Sequence, residues 1–342
     1  MTLPHIDKNA KWFRITVAVL VTAAPFVFIF ISLFIGNYPL SGKQVFSILF
    51  NPDSASVTEN VVVWQLRLPR AIAAAVVGAA LSVSGAAYQG AFRNPLVNSG
   101  MLGVSNGAGF GACFAIIFLG GGVFTYLFSF GIAVLAVTLA WLAGRVHGRT
   151  TTTSLILGGV VVSSLFGALI SIMKYVADPY SQLPEITFWF MGSFASVNYS
   201  HFWAFIPIGI GIAVIFLSRW KINVLSMGDK EAQALGVNVK LYKLLIVGGA
   251  TLATASSVCI SGTIGWVGLV MPHIGRMLVG NNNNRLIPVS AALGATFMII
   301  IDCIARSITT SEVPVGILTA IVGTPFFIYL LKKTKGKQWN DG

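Results

Sequence analysis

Two stretches of this chain hold residues that could act on charge, and a third holds an acid where acids are rare. Leu66-Arg67-Leu68-Pro69-Arg70 puts two arginines at one mouth of an apolar run that ends at Arg93-Asn94-Pro95-Leu96. Guanidinium groups make charge-assisted, often bidentate hydrogen bonds to carboxylates and phosphates. Leu225-Ser226-Met227-Gly228-Asp229-Lys230-Glu231-Ala232-Gln233-Ala234-Leu235-Gly236-Val237 is a short polar segment between two other apolar runs. Asp302 lies deep in a further apolar run, four residues before Arg306, so the two share one helix face. An acid at that depth is either a proton relay or the structural partner of a base. Pairing with Arg306 is the favoured reading, because a proton carrier usually needs more than one such site.

Bond-making chemistry is missing. No HExxH, GxSxG or EF-hand spacing occurs. The nearest approach to a phosphate loop, Gly36 to Gln44, has one residue too many between its glycines and a Gln where Ser or Thr should follow. The chain is therefore expected to bind no ATP itself and to hold no cofactor. Cys113, Cys259 and Cys303 lie far apart in apolar runs without a CxxC, and read as packing residues. His5, His147, His201 and His273 are scattered among loops and span ends, which argues against a metal cluster.

The elements that position these residues are membrane spans. Apolar residues make up 56% of the chain and charged residues 9%, and mean hydropathy is +0.83; a soluble domain carries about 25% charge. The 342 residues read as a single all-α, polytopic membrane domain over 1–342, with no linker or soluble domain. Ten spans are expected, near 15–36, 71–91, 101–119, 121–143, 154–174, 202–218, 242–260, 263–279, 287–305 and 314–331. The third and eighth are weak by hydropathy, rich in Gly, Ser and Asn, and need shielding by neighbouring helices. The first run follows Lys8, Lys11 and Arg14 and is too long for a signal core, so it reads as an uncleaved span.

With both termini in the cytoplasm, 17 of the 22 Lys and Arg residues fall inside and 5 outside, the asymmetry membrane topology requires. Lys43, Arg67, Arg70, Lys174 and Arg306 are the outside five. The three arginines sit at span ends against this bias, and are there either to recognise something or to snorkel to lipid phosphates. The +12 net charge thus reflects topology rather than nucleic-acid binding. Gly103, Gly107 and Gly111 repeat every four residues and predict a close helix contact, with Gly262, Gly265 and Gly268 as a similar set. Tyr175 to Tyr199 is the longest external stretch and predicts a short interfacial helix, lining an outer mouth or lying in the headgroups.

The segment at about 222–240 predicts a two-turn cytoplasmic helix. Asp229 is placed as its N-cap, Glu231 adds negative charge to the first turn, and Gly236 stops it. Ala232 and Leu235 would share one small apolar face. A helix this short needs something to pack on, either a partner protein or its own membrane domain.

Four long stretches then occur in one order: LRLPRAIAAAVVGAALSVSGAAYQGAFRNPLVNSGMLGVSNGAG, LSMGDKEAQALGV, GTIGWVGLVMPHIGR and EVPVGILTAIVGTPFFIYLL. With them the chain, over residues 60–332, resembles the permease subunits of type II ATP-binding-cassette importers for iron-siderophores, haem and cobalamin. The resemblance implies a type II importer permease fold of ten spans in the cytoplasmic membrane, and a second permease subunit, identical or homologous. It also implies two cytoplasmic ATPase subunits that use ATP and Mg, and an extracytoplasmic substrate-binding protein. It implies that Arg67, Arg70 and Arg306 face acidic residues of that binding protein. Gly228, Asp229, Ala232, Leu235 and Gly236 would form the helix that couples to the ATPase. Asn94 and Leu96, with Thr152 and Thr153, would close the inner end of the pathway. The expected activity is alternating-access import, not enzymatic catalysis. Fe(III)-siderophore is the commonest cargo the resemblance implies, with haem and cobalamin as alternatives. The rival reading, an ion-coupled secondary carrier, needs intramembrane ionisable groups, for which the sequence offers Asp302.

Overall fold

The structure is a computed structural model that describes residues 8–51, 55–146, 149–309 and 311–338. Its first helix, α1 (Lys8–Ser32), is followed by two short helices in the first connecting loop, α2 (Gly42–Phe50) and α3 (Val57–Asn60). Ser41 with Gln44 and Ser56 with Glu59 form reciprocal capping boxes, which is why such short pieces start where they do. A π-helical turn, Val61–Arg67, runs without a break into α4 (Leu68–Phe92). Pro69 enforces the join, since it has no N–H to donate to the ladder at that level.

The remaining spans follow in order: α5 (Val104–Leu119), α6 (Val123–Ala143), α7 (Thr152–Val176), then a short α8 (Gln182–Met191). After them come α9 (Phe205–Leu225), the six-residue α10 (Asp229–Ala234), α11 (Val239–Ser261), α12 (Val267–Val279), α13 (Asn283–Ile308) and α14 (Val315–Gln338). Among the described residues six helical stretches are long and apolar enough to cross a bilayer, and four shorter apolar helices lie in α1, α5, α12 and α14. The ten spans expected from the sequence are these ten. The second differs most from its expected bounds, because the helix is continuous from Val57 to Phe92, 36 residues. About 20 residues cross the hydrocarbon core, and counting outward from Phe92 reaches Ala73. Arg70 and Arg67 therefore stand at the membrane boundary of the same helix opposite Phe92.

Close backbone approach organises the bundle. The membrane windows of α4 and α11 are 78% buried, against 22% for α9, so α4 and α11 form the middle and α9 the rim. A methyl group at Gly78 would collide with the Gly294 carbonyl of α13, and one at Gly85 with the Gly268 carbonyl of α12. Gly107 and Gly111 press α5 onto α6 at Ile132 and Phe128, as their spacing predicted. In the second glycine set, Gly268 meets α4 and Gly262 meets Trp189, but Gly265 touches nothing within 4 Å. The weak spans α5 and α12 are shielded as their composition requires, with Val104, Ala108 and Ala112 of α5 and Val267, Val270 and Met271 of α12 buried. The helix α8 lies within the expected external stretch and packs onto α5 and α7, burying Ile186 beside Cys113, Ile116 and Ile170.

Adding a branched side chain where α4 crosses α12 leaves no room for relaxation, because the obstacle is backbone. Gly85→Val is expected to destabilise the fold by at least the upper part of the ~1–3 kcal/mol typical of overpacking. Thermal unfolding of the detergent-purified variant checks this, and an unchanged melting temperature would contradict the packing described.

Candidate functional site

Opposite ends of the bundle carry the two polar constellations. At one end, Asp302 of α13 is 1% exposed and accepts a 2.7 Å bond from Arg70 Nε. Arg306 Nε stands 3.5 Å from the other Asp302 oxygen, close enough for ion pairing but not a hydrogen bond. Arg70 Nη1 donates to both oxygens of Glu312, each at 2.9 Å. The outer end of α1 supplies the other acceptors: Arg306 Nη2 donates to the Ser32 carbonyl at 2.9 Å, and Arg67 Nη1 to the Leu33 carbonyl at 2.7 Å. The Ser32 carbonyl also accepts from the Ile35 N–H at 3.3 Å, and cations at a helix C-terminus complement the helix dipole. Arg67 Nη2 completes the set with the Tyr38 carbonyl at 2.7 Å.

The sequence placed Arg67, Arg70 and Arg306 together at an outer mouth, and the structure does bring them together. They are, however, only 4%, 7% and 4% exposed, and much of their hydrogen-bonding capacity is used internally. What they offer outward is a recess of about 210 Å³, lined by all three guanidiniums with Tyr38, Leu66, Val197 and Glu312. Three cations face two carboxylates, so the recess keeps a net +1. Arg70 Nη2 is buried in it with no partner. Gly36 completes one wall, since any side chain there would lie 3.1 Å from the Arg67 guanidinium.

Sequence reasoning paired Asp302 with Arg306 through their spacing, and missed Arg70 as its stronger partner. No local signal could have shown it, because the two are 232 residues apart. Glu312 was missed as well. It sits just before Val313-Pro314, holds a left-handed φ of 53°, and is the most exposed of the ion-paired side chains here at 30%.

At the other end, α10 is shorter than expected and starts differently. Gly228, at φ 140°, is its N-cap, with no side-chain cap bond. Asp229 is the first helical residue, and its carboxylate accepts from Lys243 Nζ at 2.6 Å instead of capping. A buried lysine at 3% exposure needs a counter-charge more than the helix needs a cap. Gly236 does stop the helix: its N–H donates to Gln233 and that of Val237 to Ala232, the paired bonds of a left-handed glycine terminus. Ala232 and Leu235 do not share one free face. Ala232 is fully buried against its own domain, while Leu235 stays 61% exposed.

Lys243, which sequence reading treated only as a loop charge, joins two predicted regions. Its Nζ also stands 3.5 Å from Thr152 Oγ1, so the start of α7 and the start of α10 meet on one ammonium. Thr151 is the α7 N-cap, which makes Thr152 and Thr153 the first two helical residues. Asn94 Oδ1 accepts from the Leu96 N–H at 2.9 Å, a side-chain turn that leaves Leu96 54% exposed. The neighbouring Arg93 adopts a left-handed φ of 54°, and its Nη1 lies 3.5 Å from where a Gly228 Cβ would be. Among the described residues no three His, Cys, Asp or Glu side chains converge on a metal position, and His5 and His147 lie outside those residues.

A chain of ten apolar helices with one ionic recess and one tethered short helix at opposite ends can now be set beside known proteins. The sequence profile of the FecCD transport family matches residues 22–333. The chain belongs to the FecCD transport family. It is 40% identical over 335 residues to the molybdate import system permease protein of Haemophilus influenzae, covering 96% of this chain and 97% of that one. A probable iron chelatin transport system permease protein of Helicobacter pylori is 39% identical over 289 residues, 84% of this chain and 87% of that one. An ABC transporter of metal-chelate type, solved in an inward-facing conformation, superposes with a TM-score of 0.84 at 38% identity. That match covers 93% of this chain and 99% of the other. FecCD membership makes this chain a multi-pass membrane permease of the ABC importer class.

Removing one member of a buried ion cluster leaves the others uncompensated. Asp302→Ala is expected to cost about 3–5 kcal/mol of stability. An Arg70→Leu/Asp302→Leu double variant should recover part of it, because the cluster returns to its net +1 although Arg306 and Glu312 keep no ion partner. Comparing the unfolding temperatures of both variants with the parent checks this, and a double variant as unstable as the single one would contradict it.

Proposed function

We propose that this FecCD-family permease carries an iron chelate, a Fe(III)-siderophore, across the cytoplasmic membrane by alternating access. It works with a second permease subunit, two ATP-hydrolysing partners at the α10 end, and an extracytoplasmic binding protein at the arginine recess. The observation that carries the reading is the pairing of ends: a net-positive recess at one and a short helix with a free leucine at the other. Full-length similarity to an ABC transporter of metal-chelate type supports the cargo class. The charge count, 17 basic residues on the α10 side against 5 opposite, supports cytoplasmic termini.

The recess geometry suits a carboxylate from the binding protein. Arg70 has an unused N–H, and Glu312 is a partly exposed carboxylate on the same guanidinium. An incoming acidic side chain therefore competes with Glu312 for Arg70, while Asp302 holds the guanidinium in place from behind. At the α10 end, Leu235 supplies the apolar contact for the ATPase, and Lys243 ties α10 to the first turn of α7. We assign Asn94, Leu96, Thr152 and Thr153 to the inner closure, with Thr152 beside Lys243. ATP and Mg are used by the partner subunits. The secondary-carrier reading loses its proton-carrying candidate, because Asp302 is committed to two arginines.

A second cargo reading has its own support: similarity at 40% to a permease named for molybdate import, over 96% of this chain. Other relatives carry the name vitamin B12 import system permease protein, which keeps cobalamin in view. Purifying the complete importer with its binding protein and analysing the bound ligand by elemental and molecular mass spectrometry decides among them. Stoichiometric iron with an organic chelator supports the proposal; molybdenum, or a cobalt corrinoid, would replace it.

Glu312→Gln removes the competing carboxylate without disturbing Asp302. It is expected to tighten binding-protein association by roughly fivefold, about 1 kcal/mol, and to steepen its salt dependence. If surface-plasmon titrations across salt concentrations show no change, the recess does not dock a carboxylate. Leu235→Asp should weaken ATPase co-purification by about 2–4 kcal/mol, since it sets an unpaired charge in an apolar contact. Unchanged co-purification and transport would rule out α10 as the coupling helix.

A further inference from the structure

A second recess, at the α10 end, shares Asn94 with the inner closure proposed above and is otherwise unassigned. It encloses about 360 Å³ where the C-terminal ends of α4, α9 and α12 meet the start of α13. Arg93 and Arg276 supply its charge, and Gln89, Asn94, Ser226 and Asn283 its polar lining. Arginines at helix C-termini ordinarily donate to the last carbonyls. Among the described residues neither of these makes a hydrogen bond or ion pair through its guanidinium, and Arg276 Nη1 is buried without a partner. Glu231 approaches Gly228 beside Arg93 but forms no ion pair with it. Half-buried Arg276, with an unpartnered nitrogen, and exposed Arg93 leave a recess that no acidic side chain lines, which suits an anion.

The acceptors narrow what that ion is. Gln89 and Asn283 are each 3% exposed, and each keeps a buried carbonyl oxygen with no donor. Their amide nitrogens are committed elsewhere. Gln89 Nε2 donates to the Val97 and Gly268 carbonyls at 3.1 and 3.2 Å, and Asn283 Nδ2 to Asn223 Oδ1 at 2.9 Å. This fixes the orientation of both amides, so their oxygens can only accept. The site thus offers positive donors together with unfilled acceptors. A ligand that answers both is an oxyanion that still carries an O–H. Sulfate and molybdate are fully deprotonated near neutral pH and have none to give. Hydrogen phosphate does, and so does a phosphate monoester in its monoprotonated form, a minority species near pH 7 because its second pKa is about 6.

We propose that this recess binds a phosphate group bearing at least one O–H, either free hydrogen phosphate or the monoprotonated monoester headgroup of phosphatidic acid. Arg93 and Arg276 hold the charged oxygens, and Gln89 Oε1 and Asn283 Oδ1 receive the hydroxyl. Because Arg93 also lies against Gly228, the N-cap of α10, occupancy braces the start of that helix. The inference is independent of the cargo and of which partner grips α10.

The test uses the full-length chain in phosphatidylcholine nanodiscs, whose phosphodiester headgroups carry no O–H, in buffer free of inorganic phosphate. Inorganic phosphate is titrated by isothermal calorimetry, followed by sulfate, and parallel nanodiscs contain phosphatidic acid or phosphatidylglycerol and are read by native mass spectrometry. The expected result is one saturable phosphate site, with sulfate at least tenfold weaker, and with affinity reduced at least tenfold in both Arg276→Gln and Arg93→Gln. Arg93 is exposed, so its variant tests the site even if Arg276→Gln fails to fold. Retention of phosphatidic acid over phosphatidylglycerol with the same arginine dependence, and no response to free phosphate, identifies the headgroup as the source and supports the proposal. Equal binding of phosphate and sulfate, or binding indifferent to both arginines, would mean an adventitious ion only and overturn it. Absence of both phosphate and phosphatidic acid binding would overturn it too, including the case where Arg93→Gln instead impairs ATPase assembly and marks the recess as a protein contact.

Discussion

Asp302 is the constraint around which the rest of the structure is arranged. A carboxylate at 1% exposure inside a membrane domain is tolerable only if cations come to it. One comes from α4 and one from its own helix, and each arginine then needs further acceptors. Those acceptors are the last carbonyls of α1, the Tyr38 carbonyl and Glu312. A single buried acid thereby ties α1, α4, α13 and the loop before α14 into one end of the bundle.

The helix that delivers Arg70 also sets the packing. α4 carries Gly78 and Gly85 where α13 and α12 approach to backbone contact, and Gly90 where the Ile222 side chain of α9 packs. Lipid offers no hydrophobic driving force between helices, so close van der Waals contact must hold the bundle. One small-residue helix therefore does two things: it lets its neighbours in, and it positions charged groups at both of its ends, Arg67 and Arg70 at one and Arg93 at the other. Movement of α4 relative to α12 or α13 would be felt at both.

The two ends are charged in different ways. At the arginine end the ions are nearly balanced within the chain, and the exposed member, Glu312, is held by a residue that also lines the recess. Such a contact can be exchanged for an external carboxylate with little change in the number of ion pairs. At the α10 end Lys243 is satisfied within the chain, by Asp229 and Thr152. Among the described residues Arg93 and Arg276 make no hydrogen bond or ion pair through their guanidiniums, so that end keeps positive charge to spare.

Composition and periodicity by themselves determined that the chain is a ten-span, all-helical membrane protein, because the cost of burying polar backbone in lipid leaves few alternatives. Local spacing also determined the Gly107–Gly111 crossing, the glycine stop at Gly236, and the acid-base pair Asp302–Arg306, since each involves residues within one turn or one helix. Other features were decided only by the tertiary structure. Asp229 turned from a helix cap to the partner of Lys243, Ala232 faced inward while Leu235 faced out, and Arg70 crossed to Asp302. The physical reason is common to all three: a buried charge or apolar group takes its partner from whichever helix lies nearest in space. That neighbour can be 14 or 232 residues away, and no local pattern reports it.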